Sequence, residues 1–139
     1  MRVFIDTSAF LALLIATESF HKKCAEKYRA YTKEHAQFYT NVLVLAELYT
    51  RLVYDFGKSA TGKVIARINL LQEEGNLKVL QLDPGLFGNA EKTLLRFAEH
   101  KLSFTDASIC VTTDMYEMEE IFTLDQDFKK VGFKDAGIR

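Results

Sequence analysis

The sequence predicts an α/β fold, a three-layer sandwich around a central, mostly parallel sheet. Two observations carry that expectation. Short β-type runs recur along the chain and helical stretches separate them, which is the pattern of a parallel sheet covered by helices. The first run, Val3-Phe4-Ile5, is continuously apolar rather than alternating, as befits a strand buried on both faces.

The elements follow in order. Residues 2–6 read as the buried first strand, and a short helix is expected over about 9–15. Residues 18–34 form a charged amphipathic helix, with Phe20, Cys24, Tyr28 and Tyr31 three or four apart. Residues 37–40 suit a short strand. Thr40 or Asn41 then caps a helix that runs to about Phe56 and stops at Gly57. Ser59 or Thr61 opens the next helix, through Val64, Ile65, Ile68 and Leu71 to Gly75. Residues 77–82 are a third strand candidate. Asp83-Pro84 is an N-cap acid followed by proline at the first helical position, so a helix should run from there to about His100. Another covers about 104–116, and a short strand covers 120–124. An edge strand is expected over 132–139.

The 139 residues fit a single domain, 1–139, undivided by repeats, low-complexity tracts or Pro/Gly-rich linkers. Apolar residues at 48% and charged residues at 27% describe a globular chain, and eleven Phe with six Tyr describe an aromatic core. The apolar run 9–16 follows Arg2, but Asp6 interrupts its approach and no cleavage site follows, so it is not read as a signal peptide. It is also far shorter than the ~18 residues of a membrane span. Cys24 and Cys110 make no disulfide framework and no metal-finger spacing. A reducing, cytoplasmic compartment is expected.

The formal charge of −1 gives no global attraction to nucleic acid. Five acids stand apart, however: Asp6, Glu47, Asp106, Asp125 and Asp127. Setting them aside from the 19 leaves 14 acidic against 18 basic residues, so a cation neutralising them would leave a mildly basic surface. Lys58, Lys63 and Arg67 give one helix a basic face, for which a solvated surface is the simpler reading.

Each acid has two readings. Asp6, at the end of an apolar strand, can cap the following helix, or it can face a cleft if Thr7 or Ser8 takes the cap. Glu47 sits on a largely apolar helix, where it either pairs with Arg51 one turn on or joins a buried polar site. Arg51 in turn could hold a substrate phosphate. Ser103-x-x-Asp106 resembles a capping box, a role compatible with a site at the same helix end. Asp125 and Asp127 follow the last strand and suit either a turn or a ligand set, Asp125 being the better ligand and Asp127 the more peripheral. Asp114 is two helical turns from Asp106 and falls outside the set. In parallel sheets ligands bind beyond the carboxyl ends of the strands, where Asp6 and Asp125 lie. Hard oxygen ligands without nearby His or Cys select Mg²⁺ or Mn²⁺, and such sites support phosphodiester hydrolysis. The sequence has no P-loop, dinucleotide turn, zinc-protease helix or G-x-S-x-G elbow.

Four segments, Phe4-Ile5-Asp6-Thr7-Ser8, Leu45-Ala46-Glu47-Leu48, Leu102-Ser103-Phe104-Thr105-Asp106-Ala107 and Phe122-Thr123-Leu124-Asp125-Gln126-Asp127-Phe128, together resemble the PIN-domain family. Their order and spacing are most similar to single-domain VapC-type toxin ribonucleases. The resemblance implies a metal-dependent endoribonuclease, the toxin of a type II toxin–antitoxin pair. It implies that Asp6, Glu47, Asp106 and Asp125 are the catalytic, metal-binding quartet and that Thr123 is the hydroxyl beside the fourth acid. It further implies an RNA substrate, a Mg²⁺ or Mn²⁺ cofactor, a small antitoxin and a homodimer. The segment 110–120, with Asp114 and Glu117-Met118-Glu119-Glu120, is more polar than the family's usual Ala-rich helix. Two alternatives stand beside this reading: a non-catalytic PIN-like module binding RNA or protein, and a housekeeping RNA-processing nuclease.

Overall fold

Val3 and Phe4 point to opposite faces of the first strand, and both are fully buried. The sheet they belong to is therefore covered on both sides. A computed structural model of the chain describes residues 1–138. Among these the order is β1 (Arg2–Ile5), α1 (Thr7–Leu14), α2 (His21–Lys33), β2 (Gln37–Asn41), α3 (Val42–Glu73), β3 (Lys78–Leu80), α4 (Pro84–Arg96), α5 (Phe104–Met115), β4 (Glu120–Phe122) and α6 (Asp127–Lys130). All strand pairs are parallel, in the order β3-β2-β1-β4. Helix α1 packs on α2 and α3, and α4 packs on α5. The chain thus forms the α/β sandwich expected of its pattern.

The strand order positions the site. From β1 the chain steps through β2 to β3 on one side, then returns through α4 and α5 to place β4 on the other side of β1. The direction of winding reverses between β1 and β4, which opens a crevice at their carboxyl ends. Asp6 ends β1 there, its N–H bonded to the Phe122 carbonyl at 3.0 Å. The Thr123–Asp125 turn leaves β4 at the same level.

Several boundaries differ from expectation. Helix α1 begins at Thr7, because Asp6 itself is the N-cap and accepts from the Thr7 N–H at 2.7 Å. Thr7 and Ser8 do not take the cap. Helix α2 begins at His21, after turns in which Glu18 and His21 donate backbone bonds to Ile15 and Glu18. Asn41, not Thr40, caps α3 by accepting from the Val44 N–H at 3.0 Å. The helix breaks at Gly57, where φ 83° and ψ −179° suit glycine alone, and resumes at once, Thr61 donating to the Gly57 carbonyl at 2.7 Å. Helix α4 ends at Arg96; a 3₁₀ turn, Ala98–His100, and the left-handed Lys101 follow. The expected edge strand over 132–139 reduces to one parallel bridge, Ile121 to Asp135, and its last residue lies outside the described residues.

The core joins the sheet's apolar side chains to those of all the flanking helices but α4, whose Leu86 and Ala90 pack with Val111 in a smaller cluster. Cys24 and Cys110 are free and buried, and burial pushes the Cys110 thiol up to about 12, so both act as small apolar residues. At the opposite, amino-terminal end of β4, buried Glu120 accepts from the Tyr31 hydroxyl and pairs with Lys134 at 3.0 Å and Lys27 at 3.8 Å. Burial alone would raise its pKa, but these three partners outweigh it and hold the carboxyl below its ordinary value. No helix among the described residues is long and apolar enough to cross a membrane.

Candidate active site

Asp6 lies at the carboxyl end of β1, beside β4, where a switch point favours a ligand site. Its side chain is only 6% exposed. One carboxylate oxygen caps α1, and the other accepts from the Thr123 hydroxyl at 2.8 Å. Burial pushes its pKa up to about 7, against the opposing pull of those two hydrogen bonds; the negative charges of Asp106 and Glu47 push it further. That repulsion brings three of the expected site residues into one electrostatic neighbourhood.

Asp106 reaches the crevice from α5. The capping box is complete: the Ser103 hydroxyl accepts from the Asp106 N–H at 3.0 Å, and the Asp106 carboxylate accepts from the Ser103 N–H at 3.0 Å. The capping reading is met in full, and from this helix end the Asp106 charge is also felt at Asp6. Glu47 comes from the second turn of α3, half-buried and without an ion pair to Arg51. Asn41 locks these two helices together, since its amide caps α3 and donates to the buried Ser108 hydroxyl of α5 at 3.1 Å.

Asp125 follows β4 by three residues. Burial raises its carboxyl pKa, the Asp127 N–H at 2.8 Å opposes this, and the charges of Asp127 and Asp106 raise it again. Thr123 links this acid to the first: it donates to Asp6 and accepts from the Asp125 N–H at 3.0 Å. Because its single proton goes to Asp6, the Ser8 hydroxyl at 3.2 Å must be the donor in their contact. Ser8 also accepts from the Leu124 N–H at 3.0 Å. Asp127 opens α6 and pairs with Lys130 at 3.2 Å, a peripheral place. Asp114 is exposed and lines a different cavity, with Arg96, Phe97 and Lys134.

Residues 3–134 match the family model described as PIN domain. The chain belongs to the PIN domain family. No curated protein matches it. Among solved structures it is similar to the Mycobacterium tuberculosis toxin VapC20, described as cleaving the sarcin–ricin loop, with 25% identity and a TM-score of 0.82. That match covers 94% of this chain and 95% of VapC20. VapBC2 from Rickettsia felis, solved on a promoter DNA fragment, is 12% identical with a TM-score of 0.73, over 97% of each chain. FitAcB from Neisseria gonorrhoeae is 14% identical with a TM-score of 0.68, over 96% of this chain and 95% of that one. The last two likenesses concern the fold.

In this PIN domain the donor atoms facing the crevice are carboxylate and hydroxyl oxygens. Among the described residues no three His, Cys, Asp or Glu side chains are drawn closely enough together to enclose a cation as they stand. Asp106 and Asp125 each commit an oxygen to a backbone N–H, at Ser103 and Asp127. The chemistry of the set nonetheless fits a hard divalent cation, whose charge would offset both the burial and the lesser repulsion that raise Asp6. Sequence reasoning did not foresee Ser8 and Asn41 as the braces of this arrangement. The Asn41 cap was legible; its second bond, across 67 residues to Ser108, had no local signal.

Proposed function

We propose that the chain is a metal-dependent endoribonuclease, the toxin of a type II toxin–antitoxin pair. One observation carries the reading: Asp6, at the switch point of a parallel sheet, is raised first by burial and then further by the charges of Asp106 and Glu47, while Asp106 also adds to the burial that raises Asp125. A scaffold has little physical reason to hold repelling carboxylates in one crevice. The VapC-type relatives and the family membership support the same reading.

Asp6, Glu47, Asp106 and Asp125 would hold Mg²⁺ or Mn²⁺. When bound, such a cation supplies an activated water, aligns it for in-line attack on the phosphodiester and steadies the leaving oxygen. The chain's own part is to keep the acids in place. Asp6 cannot turn, because Thr7 and Thr123 hold both its oxygens. Thr123 ties the β4 turn to that carboxylate, and Ser8 fixes Thr123. In a parallel arrangement the capping box fixes Asp106.

RNA is the proposed substrate, a small antitoxin and a second copy of the chain are the proposed partners, and the cytoplasm is the proposed compartment. Calorimetric titration with Mn²⁺ tests the site: wild type should bind and Asp6→Asn should not. Absence of Mn²⁺ binding by wild type would favour a non-catalytic PIN module, to which the unclosed acid set also lends weight. A short reading frame encoding a DNA-binding antitoxin beside this gene supports the toxin; its absence favours a housekeeping nuclease.

A further inference from the structure

Arg51 lies one turn beyond Glu47 on α3, yet it makes no ion pair with it among the described residues. It borders instead a cavity of about 130 Å³ built from α1, the α1–α2 loop and the turn after β4. Ser8, Glu18, Ser19, Phe20 and Leu124 line that cavity with it. The His21 ring nitrogen meets the Ala12 carbonyl at 2.7 Å and fixes the loop against α1. Ser8 is shared with the acid site, since its hydroxyl donates to the Thr123 that holds Asp6. The cavity therefore abuts the carboxylates.

Its chemistry is that of a base pocket. Single-stranded RNA is read by stacking unpaired bases on aromatic rings or guanidinium planes and by hydrogen-bonding their edges. Phe20, half-buried, supplies a ring, and Arg51 a guanidinium. Glu18 supplies a carboxylate that is not paired with Arg51. A phosphate is disfavoured here because Glu18 repels it. Guanine alone among the bases offers two adjacent donors, N1–H and the N2 amino group, to a carboxylate, while its O6 and N7 accept an arginine fork. We propose that this cavity holds the base of a nucleotide flanking the scissile phosphate, and that Glu18 and Arg51 select guanine there. The inference rests on the reading of the acids as an RNA-cleaving centre.

The four nucleoside monophosphates, titrated separately into the metal-free full chain and followed by amide NMR shifts, test it. GMP should shift Ser19 and Phe20 and bind about tenfold more tightly than AMP, CMP or UMP. Glu18→Ala, a loop substitution that leaves the acids untouched, should erase that preference without lowering the unfolding midpoint. Equal binding of all four, tighter binding of CMP, no binding, or shifts elsewhere would overturn the proposal. Mapping the ends of cleaved RNA separates the two readings. Cleavage by wild type with no guanine beside the cut, unchanged by Glu18→Ala, removes the pocket and leaves the nuclease. GMP binding here without RNA cleavage removes the nuclease, and with it the scissile phosphate, and leaves only a guanine pocket.

Discussion

At the scale of single residues, Asp6 carries contradictory demands. It is buried, caps a helix, and faces other negative charges. Its pKa is raised to about 7, so the folded chain holds this proton more tightly than the unfolded chain does. The stability Asp6 allows is then full at low pH and declines as pH rises from about 4 to about 7, staying low above that. Asp6→Asn should therefore raise the melting midpoint of the metal-free protein at pH 8 by several degrees, and should not raise it at pH 4. Scanning calorimetry at both pH values checks this; a destabilised variant at pH 8 would show that the two hydrogen bonds outweigh the repulsion. The sequence placed Asp6 at a strand end, where both the cap and the cleft were in view. It could not reveal that one carboxylate serves both, because that depends on Thr123, 117 residues away.

At the scale of elements, the site depends on how α3 and α5 are set against β1. Asn41 sits at that junction, completely buried. Replacing it with alanine removes a cap and orphans the Ser108 contact, at a cost of about 2 kcal/mol. Because the helices carrying Glu47 and Asp106 lose their common brace, RNA cleavage by Asn41→Ala should fall more steeply than its melting midpoint. Equal activity at a temperature where both proteins are folded would deny Asn41 this role. Gly57 governs the second half of α3. Its backbone lies in a region that is essentially glycine's, though a Cβ there meets nothing within 4 Å. Gly57→Ala should cost about 1–3 kcal/mol, all of it torsional, and chemical denaturation reads that directly. Here the sequence was informative: glycine after an apolar helix signalled the break. The immediate resumption at residue 58 was less legible, since capping rules favoured a polar start at Ser59 or Thr61.

At the scale of the molecule, the parallel order β3-β2-β1-β4 turns four scattered motifs into neighbours. The alternation of strands and helices made the sheet legible. The strand order was not, because it depends on which side of β1 receives β4 after α5, a choice made by packing rather than by any local pattern. Asp114 and Asp106 share one helix, but Asp114 lines a cavity with Arg96 and Lys134 while the charge of Asp106 acts on Asp6 and Asp125, as their two-turn separation in sequence had suggested. Net charge was uninformative, for the acids that lower it are the same ones proposed for the site. The most direct test of the account is cleavage of single-stranded RNA by the purified chain, with Mg²⁺ or Mn²⁺ and with chelator, beside Asp6→Asn. Wild type should cleave only with the cation, and the variant should be slower by at least about a hundredfold. Cleavage that survives both the chelator and the substitution would contradict it.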